Sequence, residues 1–152
     1  MIFLLDTDTL IYMIRGLKIT APRGESQRHR SHLANRILSH CRKSNEAGHE
    51  VGLFCITVAK LEYGARHSGD YSTEIAAVRK ILAPFMTYDF DAGVCAEHYG
   101  EVRHALETSG GTIGAMDLLT GAHARALNAI LVTNNSGHFG RIRGLRIENW
   151  TE

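Results

Sequence analysis

The sequence predicts an α/β fold in which a mainly parallel sheet of four to five strands lies between two layers of helices. Short apolar segments alternate along the chain with longer segments in which apolar residues recur every three or four positions. No internal repeat and no linker-like composition interrupts this alternation. We therefore expect a single α/β/α domain over residues 1–152.

The first strand is predicted at Ile2–Leu5, and Asp6 follows its end. Asp8 or Thr9 is then suited to cap a helix that runs through Leu10 and Ile14. The further strands are predicted at 51–56, 85–90, 129–133 and 145–147. The further helices are predicted from Leu33 to near Gly48, from Thr57, and at 72–82, 92–106 and 115–127. Residues 16–30 and 109–111 read as loops, because the first is poor in apolar residues and the second contains two adjacent glycines.

The stretch ITVAKLEYGA, from Ile56 to Ala65, reads as the start of a helix that Thr57 could cap. A capping box would then place Glu or Gln at position 60, but the chain has Lys60 there. Glu62 lies roughly 200° around the helix from Lys60, so the two side chains face nearly opposite directions. The pattern alone leaves open which of the two residues, if either, takes part in a reaction.

Composition limits the classes of protein. With 44% hydrophobic and 22% charged residues, the chain is typical of a globular domain. No apolar run is long enough for a transmembrane helix, and no basic segment precedes IFLL as in a signal peptide. The three cysteines are odd in number and far apart, which favours free thiols in a reducing cytoplasm over a disulfide framework. Nine histidines form no HxH or HExxH pattern.

Positive charge is distributed unevenly. The segment from Arg15 to Lys43 carries eight Lys or Arg residues and a single acid, Glu25. A second basic group, Arg141, Arg143 and Arg146, lies near the C-terminus. These segments are either solvated faces or a sequence-independent contact with nucleic-acid phosphates.

Polar side chains at strand ends are the candidates for chemistry, because ligands of parallel sheets bind beyond the carboxyl ends of the strands. Asp6 follows the first strand, Asp117 lies in the first turn of a helix, and Thr133 to Asn135 follow the apolar segment ILV. Carboxylates that converge there would repel one another unless a cation lay between them, and hard oxygen ligands suit Mg²⁺ or Mn²⁺. Each residue also has a structural alternative as a helix cap or a turn residue.

One alternative reading uses IFLLDTDTL, which fits the hydrophobic strand and DxDxT pattern of haloacid-dehalogenase phosphatases. There Asp6 would accept the phosphoryl group and Asp8 would act as acid and base. That superfamily needs an acidic pair after a late strand, whereas this strand ends in LVTNN. The chain also leaves little room for the usual cap domain.

A second resemblance covers nearly the whole chain. The segments LLDTDTLIYMIRG, ITVAKLEYGARHSGD and GTIGAMDLLTGAHARALNAILVTNNSGHFGRIRGLRIENW resemble the VapC-type PIN-domain toxins. The resemblance implies a three-layer α/β/α PIN fold, an Mg²⁺- or Mn²⁺-dependent endoribonuclease acting on structured RNA such as a tRNA, inhibition by a VapB-type antitoxin, and a homodimer. Residue by residue, it implies that Asp6 and Asp117 bind metal and that Thr133 and Asn135 are the polar positions after the fourth strand. Asp8 stands where Asn is usual.

Two positions depart from that family pattern. The acidic residue that precedes Leu-x-Tyr-Gly-Ala in the family falls on Lys60, and His138 stands where similar sequences often carry Glu. The resemblance thus implies that position 60 faces the site and that Glu62 faces solvent or a partner. It also predicts an active site weakened by the loss of one carboxylate. Because such toxins arrest the cell that makes them, the exchange would ease expression, whether it was engineered or selected.

Overall fold

The computed structural model describes all 152 residues of the chain. Five strands form its sheet: β1 (Ile2–Leu5), β2 (Glu50–Phe54), β3 (Met86–Tyr88), β4 (Ile130–Val132) and β5 (Arg146–Glu148). Seven helices accompany them: α1 (Thr7–Leu17), α2 (Gly24–Glu46), α3 (Cys55–His67), α4 (Tyr71–Leu82), α5 (Val94–Ser109), α6 (Ala115–Ala126) and α7 (Ser136–Phe139).

The five strands pair in the order β3-β2-β1-β4-β5, and every pair is parallel. β1 occupies the centre, with β2 and β4 as its neighbours. The residues that follow these three strands therefore meet at one edge of the sheet. The prediction of a mainly parallel sheet of four to five strands is confirmed.

Alternate residues of the central strand point into two separate hydrophobic cores, as the two-residue period of a strand requires. Phe3 and Leu5 pack with residues of α1–α4 on one face. Leu4 packs with residues of α5–α7 on the other face. The fold is thus a three-layer α/β/α sandwich, and its central strand is apolar throughout, as expected for a parallel sheet buried on both faces.

Three local predictions are wrong. Helix α1 begins earlier than expected, because Asp6, and not Asp8 or Thr9, is its N-cap and its side chain accepts a hydrogen bond from the Thr7 N–H. The predicted loop over 16–30 is helical from Gly24 onward. Strand β2 ends at Phe54, which is the N-cap of α3. Thr57 is therefore an interior residue of the first turn, and the comparison of Lys60 with a capping box does not apply.

The three cysteines are free, as predicted, and Cys41 and Cys95 are buried. None of the helices combines the length and the apolar character that a membrane crossing requires.

Candidate active site

Asp6 is the centre of a hydrogen-bonded group at the carboxyl ends of β1 and β4. Its Oδ1 accepts a bond from the backbone N–H of Thr7 at 2.7 Å, and its Oδ2 accepts one from the hydroxyl of Thr133 at 2.9 Å. The backbone N–H of Asp6 donates to the Val132 carbonyl at 2.9 Å, which continues the pairing of β1 with β4. The carboxylate is consequently fixed in orientation, with only 4% of its residue surface exposed.

The surroundings of Asp6 act on its charge in opposite directions. Burial raises the pKa of the Asp6 carboxyl above its ordinary value, and the hydrogen bonds from Thr133 and Thr7 counteract that rise. The negative charge of Asp8 adds to the increase in pKa, whereas the positive charge of Lys60 opposes it. A carboxylate held this way would be stabilised by any further cation that reached it.

Thr133 connects Asp6 to a second group of side chains. Its hydroxyl donates to Asp6 and accepts a bond from the backbone N–H of Asn135 at 3.0 Å. The Asn135 side-chain amide lies 3.1 Å from Nδ1 of His138, and the same Nδ1 lies 3.1 Å from Oδ2 of Asp117. A continuous chain of contacts therefore joins Asp6 to Asp117.

Asp117 lies in the first turn of α6, whose positive dipole end favours a carboxylate. Its side chain is 23% exposed and that of His138 is 51% exposed, so this end of the group is open to solvent while Asp6 is not. Helix α7, which the sequence did not predict, carries His138 into this position. Its sequence SGHF offers a single large apolar residue, Phe139, and this is too short a signal for a periodicity argument.

Helix α3 follows β2 directly, and its first turn lies beside the start of α1. The Thr7 hydroxyl donates to the Thr57 hydroxyl at 3.2 Å, and both threonines are buried. This contact attaches the first turn of α3 to the start of α1. Lys60 follows one turn later, partly buried, and its charge acts on Asp6. The resemblance to the VapC-type toxins predicts neither Thr7 nor Thr57 as a site residue.

Glu62 belongs to a different contact. Its carboxylate accepts bonds from the Tyr71 hydroxyl at 2.8 Å and from the Arg79 guanidinium at 3.0 Å. These two bonds lower the pKa of Glu62 and connect α3 to α4. The sequence suggested that Glu62 faces solvent or a partner protein. In the structure, Glu62 has hydrogen-bond partners within the chain.

Asp6, Thr133 and Asp117 are thus connected at one edge of the sheet, and comparisons with known proteins identify the family. A family model described as "PIN domain" matches residues 3–145. The chain belongs to the PIN-domain family.

Its relatives narrow the assignment further. Ribonuclease VapC2 of Rickettsia felis is 35% identical over 99% of this chain and 98% of its own length. Ribonuclease VapC2 of Haemophilus influenzae is 32% identical over 97% of both chains. The tRNA(fMet)-specific endonuclease VapC of Salmonella typhimurium is 31% identical, also over 97% of both chains. Within the PIN family, this chain is therefore of the VapC type.

Solved structures agree with this assignment. The chain matches a crystal structure of VapBC2 from Rickettsia felis, bound to a DNA fragment from its promoter, with a TM-score of 0.82 and 31% identity over 99% of both chains. It matches DNA-bound VapBC from Salmonella typhimurium with a TM-score of 0.79 and 28% identity over 97% of both chains. The resemblance inferred from the sequence motifs is confirmed, and it replaces the haloacid-dehalogenase alternative.

Proposed function

We propose that the chain is the toxin of a type II toxin–antitoxin system, a metal-dependent endoribonuclease of the VapC type whose activity Lys60 weakens. The observation that carries this proposal is the Asp6–Thr133 pair and its connection to Asp117 at the strand edge of a VapC-like fold. Structured RNA is the substrate class, and a tRNA is its favoured member, because a full-length relative is named as a tRNA(fMet)-specific endonuclease. Three free thiols fit a cytoplasmic site of action.

The carboxylate oxygens of Asp6 and Asp117 are of the type that Mg²⁺ and Mn²⁺ prefer, but only two carboxylates are present. Asp6 and Asp117 would hold the cation, since Mg²⁺ is commonly bound by one or two carboxylates and keeps several waters. No group of three or more His, Cys, Asp or Glu side chains is arranged to hold a metal ion. A bound cation would supply water activation and charge stabilisation at the scissile phosphate.

The residues of the chain have separate roles in this proposal. Thr133 orients the Asp6 carboxylate, and Asn135 fixes the Thr133 hydroxyl through its backbone N–H. His138 and the Asn135 amide occupy the space beside Asp117 and can position water or a phosphate oxygen there. Lys60 replaces a carboxylate with an ammonium group. Two unit charges about 4 Å apart repel by about 4 kcal/mol at an effective dielectric of about 20, so the lysine opposes cation binding.

The test is RNA cleavage by the chain and by Lys60→Glu. In Mn²⁺, the Glu form is expected to cleave a tRNA substrate at least tenfold faster, because it restores a third carboxylate beside Asp6. Asp6→Asn in the Lys60→Glu chain should remove that cleavage. Lys80→Glu makes the same change of charge on an exposed residue of α4 and serves as the matched control. Equal cleavage by the natural and Glu forms would show that Lys60 does not impair the site.

Lys60 favours a second candidate function, an RNA- or antitoxin-binding PIN module that no longer cuts. Filter binding of tRNA in EDTA, followed by addition of Mn²⁺, distinguishes the two. Retained binding with no product, from both the natural chain and Lys60→Glu, would favour the binding module over the enzyme.

A VapB-type antitoxin is the proposed protein partner, because the structural neighbours are VapBC assemblies. An apolar cavity of about 970 Å³ lies between α2, α4 and the starts of β2 and β3. Leu17, Leu38, Ile81 and Phe85 are among its apolar lining residues, and such a groove suits the apolar face of a helix. Co-purification with the product of the neighbouring gene checks the pairing. The homodimer remains an inference from the family, and the mass of the purified chain tests it.

A further inference from the structure

Helix α2 presents a polar face that takes no part in the active site. Six residues line a shallow depression of about 390 Å³ on this face, and none of them is hydrophobic. They are His32, Asn35, Arg36, Ser39, His40 and Lys43. We call them the α2 polar face. No side chain of α2 hydrogen-bonds to the group around Asp6 and Asp117.

The helical period separates this face from the core. Ala34, Ile37 and Cys41 are the buried residues of α2 and attach it to the rest of the fold. Arg36 and Lys43 are seven residues apart, which is two turns, so they lie on the same side of the helix about 10 Å apart along its axis. Both are exposed. From His32 to Lys43 the face extends about 16 Å along the helix axis, which is long enough to contact several phosphates of an RNA strand.

The cations of this face have no acidic partners. The chain forms five ion pairs, and none includes a residue of α2. Two residues of the C-terminal basic group donate hydrogen bonds to backbone carbonyls instead. Arg141 donates to the Thr112 carbonyl and Arg146 donates to the Asn128 carbonyl, so their positive groups already have structural roles. The charges of α2 are thus available to an external anion.

One edge of the face is held in place by aromatic stacking. The His40 ring stacks on the Trp150 ring, with centroids 5.1 Å apart and planes inclined by 12°. Trp150 is itself fixed, because it is buried and its Nε1–H donates to Glu148 at 2.9 Å. Burial, together with the charges of Arg36 and Lys43, lowers the pKa of His40, so the stacked ring is neutral near pH 7. The positive charge beside this edge of the face therefore comes from Arg36 and Lys43.

We propose that the α2 polar face binds the phosphate backbone of the RNA substrate outside the catalytic pocket. This inference rests on the proposed function, which supplies RNA as the ligand. Arginine and lysine with neighbouring Asn and Ser donors are the groups that contact phosphates without reading bases. An acidic protein segment is the less suitable occupant, because the face offers no apolar residue in which such a segment could anchor.

The experiment measures binding of labelled tRNA in EDTA, where no cleavage occurs, over a range of salt concentrations. Arg36→Ala with Lys43→Ala removes two phosphate contacts. The slope of log K against log salt should fall by about 1.4 to 1.8, since each contact contributes about 0.7 to 0.9. At about 0.1 M salt the affinity should fall about 25- to 60-fold, which is that change of slope over one decade of salt below 1 M.

The matched control is Arg42→Ala with Lys80→Ala, which removes the same net charge. Arg42 lies on α2 next to Lys43 in sequence but about 100° around the helix, where it lines the apolar cavity together with Lys80. All four residues are exposed, so neither pair of substitutions should alter the fold. The control is expected to keep the salt slope and the affinity of the natural chain within about twofold.

Three results would overturn the inference while leaving the proposed function intact. The first is an equal loss of tRNA affinity in both double variants, and the second is no loss of affinity in either. The third is a loss of affinity for duplex DNA of the same length but not for tRNA. If the natural chain bound no tRNA at all, the proposed function would fail together with this inference. A loss confined to Arg36→Ala with Lys43→Ala, and seen with tRNA, supports it.

Discussion

Asp6 combines a structural role with the chemical role that we propose for it. As the N-cap of α1 it accepts a hydrogen bond from the Thr7 N–H, and as the residue after β1 it accepts one from the Thr133 hydroxyl. The sequence left these two roles as alternatives, but the geometry makes them compatible. Two fixed donors hold the carboxylate in one orientation and partly offset the cost of burying its charge.

His123 is the residue whose titration should limit stability in acid. It is fully buried against the edges of Phe54 and Phe90, and neither ring nitrogen has a hydrogen-bond partner. Burial lowers the pKa of His123 below its ordinary value of 6.5, although the negative charges of Asp91 and Asp89 and a weak interaction with the Asp89 backbone oppose the decrease. The unfolded chain therefore binds a proton more readily than the folded chain, and the free energy of unfolding falls as pH drops below about 6.5.

Chemical denaturation between pH 7.5 and pH 5 measures this effect. The natural chain should lose up to about 1.4 kcal/mol per pH unit from this single group. His123→Phe should remove that part of the pH dependence, whatever its effect on stability at pH 7.5. His104→Gln, an exposed substitution on α5, is the control and should preserve it. If the free energy of unfolding of His123→Phe depended on pH as that of the unsubstituted chain does, His123 would not be the group responsible.

At the scale of elements, the contact between α1 and α2 depends on Gly16. A Cβ atom built there would lie 2.3 Å from the Ala34 Cβ and 2.4 Å from the Arg30 carbonyl oxygen. Backbone atoms cannot yield as the end of a flexible side chain does, so the helices would have to separate. This close approach fixes the position of the helix that carries the α2 polar face.

Gly16→Ala is therefore expected to reduce the free energy of unfolding by about 1 to 3 kcal/mol, the usual range for overpacking. Gly100→Ala is the matched control, because Gly100 lies within α5 and a Cβ there meets no atom within 4 Å. That change should instead stabilise the chain by about 0.5 to 1 kcal/mol, through the better helix propensity of alanine. Urea titration of both variants decides the matter, and equal effects would refute the packing argument.

The sequence predicted those elements whose periodicity was strong and missed those whose stability comes from tertiary contacts. β1 is predicted at its observed bounds, because IFLL is apolar and bounded by Asp6. The start of α2 was missed because residues 21–30 are all exposed and offer no apolar period. At the site, Asp6 and Thr133 were predicted because ligands bind beyond the carboxyl ends of parallel strands, and the two side chains are hydrogen-bonded in the structure. The Thr7–Thr57 contact between α1 and α3 could not be predicted, because it depends on tertiary packing across two helix starts.

At the scale of the whole molecule, strand order determines which residues meet. β2, β1 and β4 are adjacent, so the segments that follow them, which contain Lys60, Asp6 and Thr133, converge although they are far apart in sequence. A cation held there would connect elements from all parts of the fold. Its binding free energy would consequently add to the stability of the folded chain, since the unfolded chain has no such site.

Thermal unfolding with and without Mn²⁺ tests this coupling independently of cleavage. Lys60→Glu at a Mn²⁺ concentration of about 100 times its Kd should gain about 2.7 kcal/mol. For a chain of this size that corresponds to a rise in Tm of about 5 to 10 °C, and EDTA should reverse it. The natural chain should shift far less, because the Lys60 ammonium opposes the cation. Lys80→Glu, with the same change of charge away from Asp6, should behave like the natural chain. An equal rise in Tm for the natural chain would show that Lys60 moves aside and leaves the metal site intact.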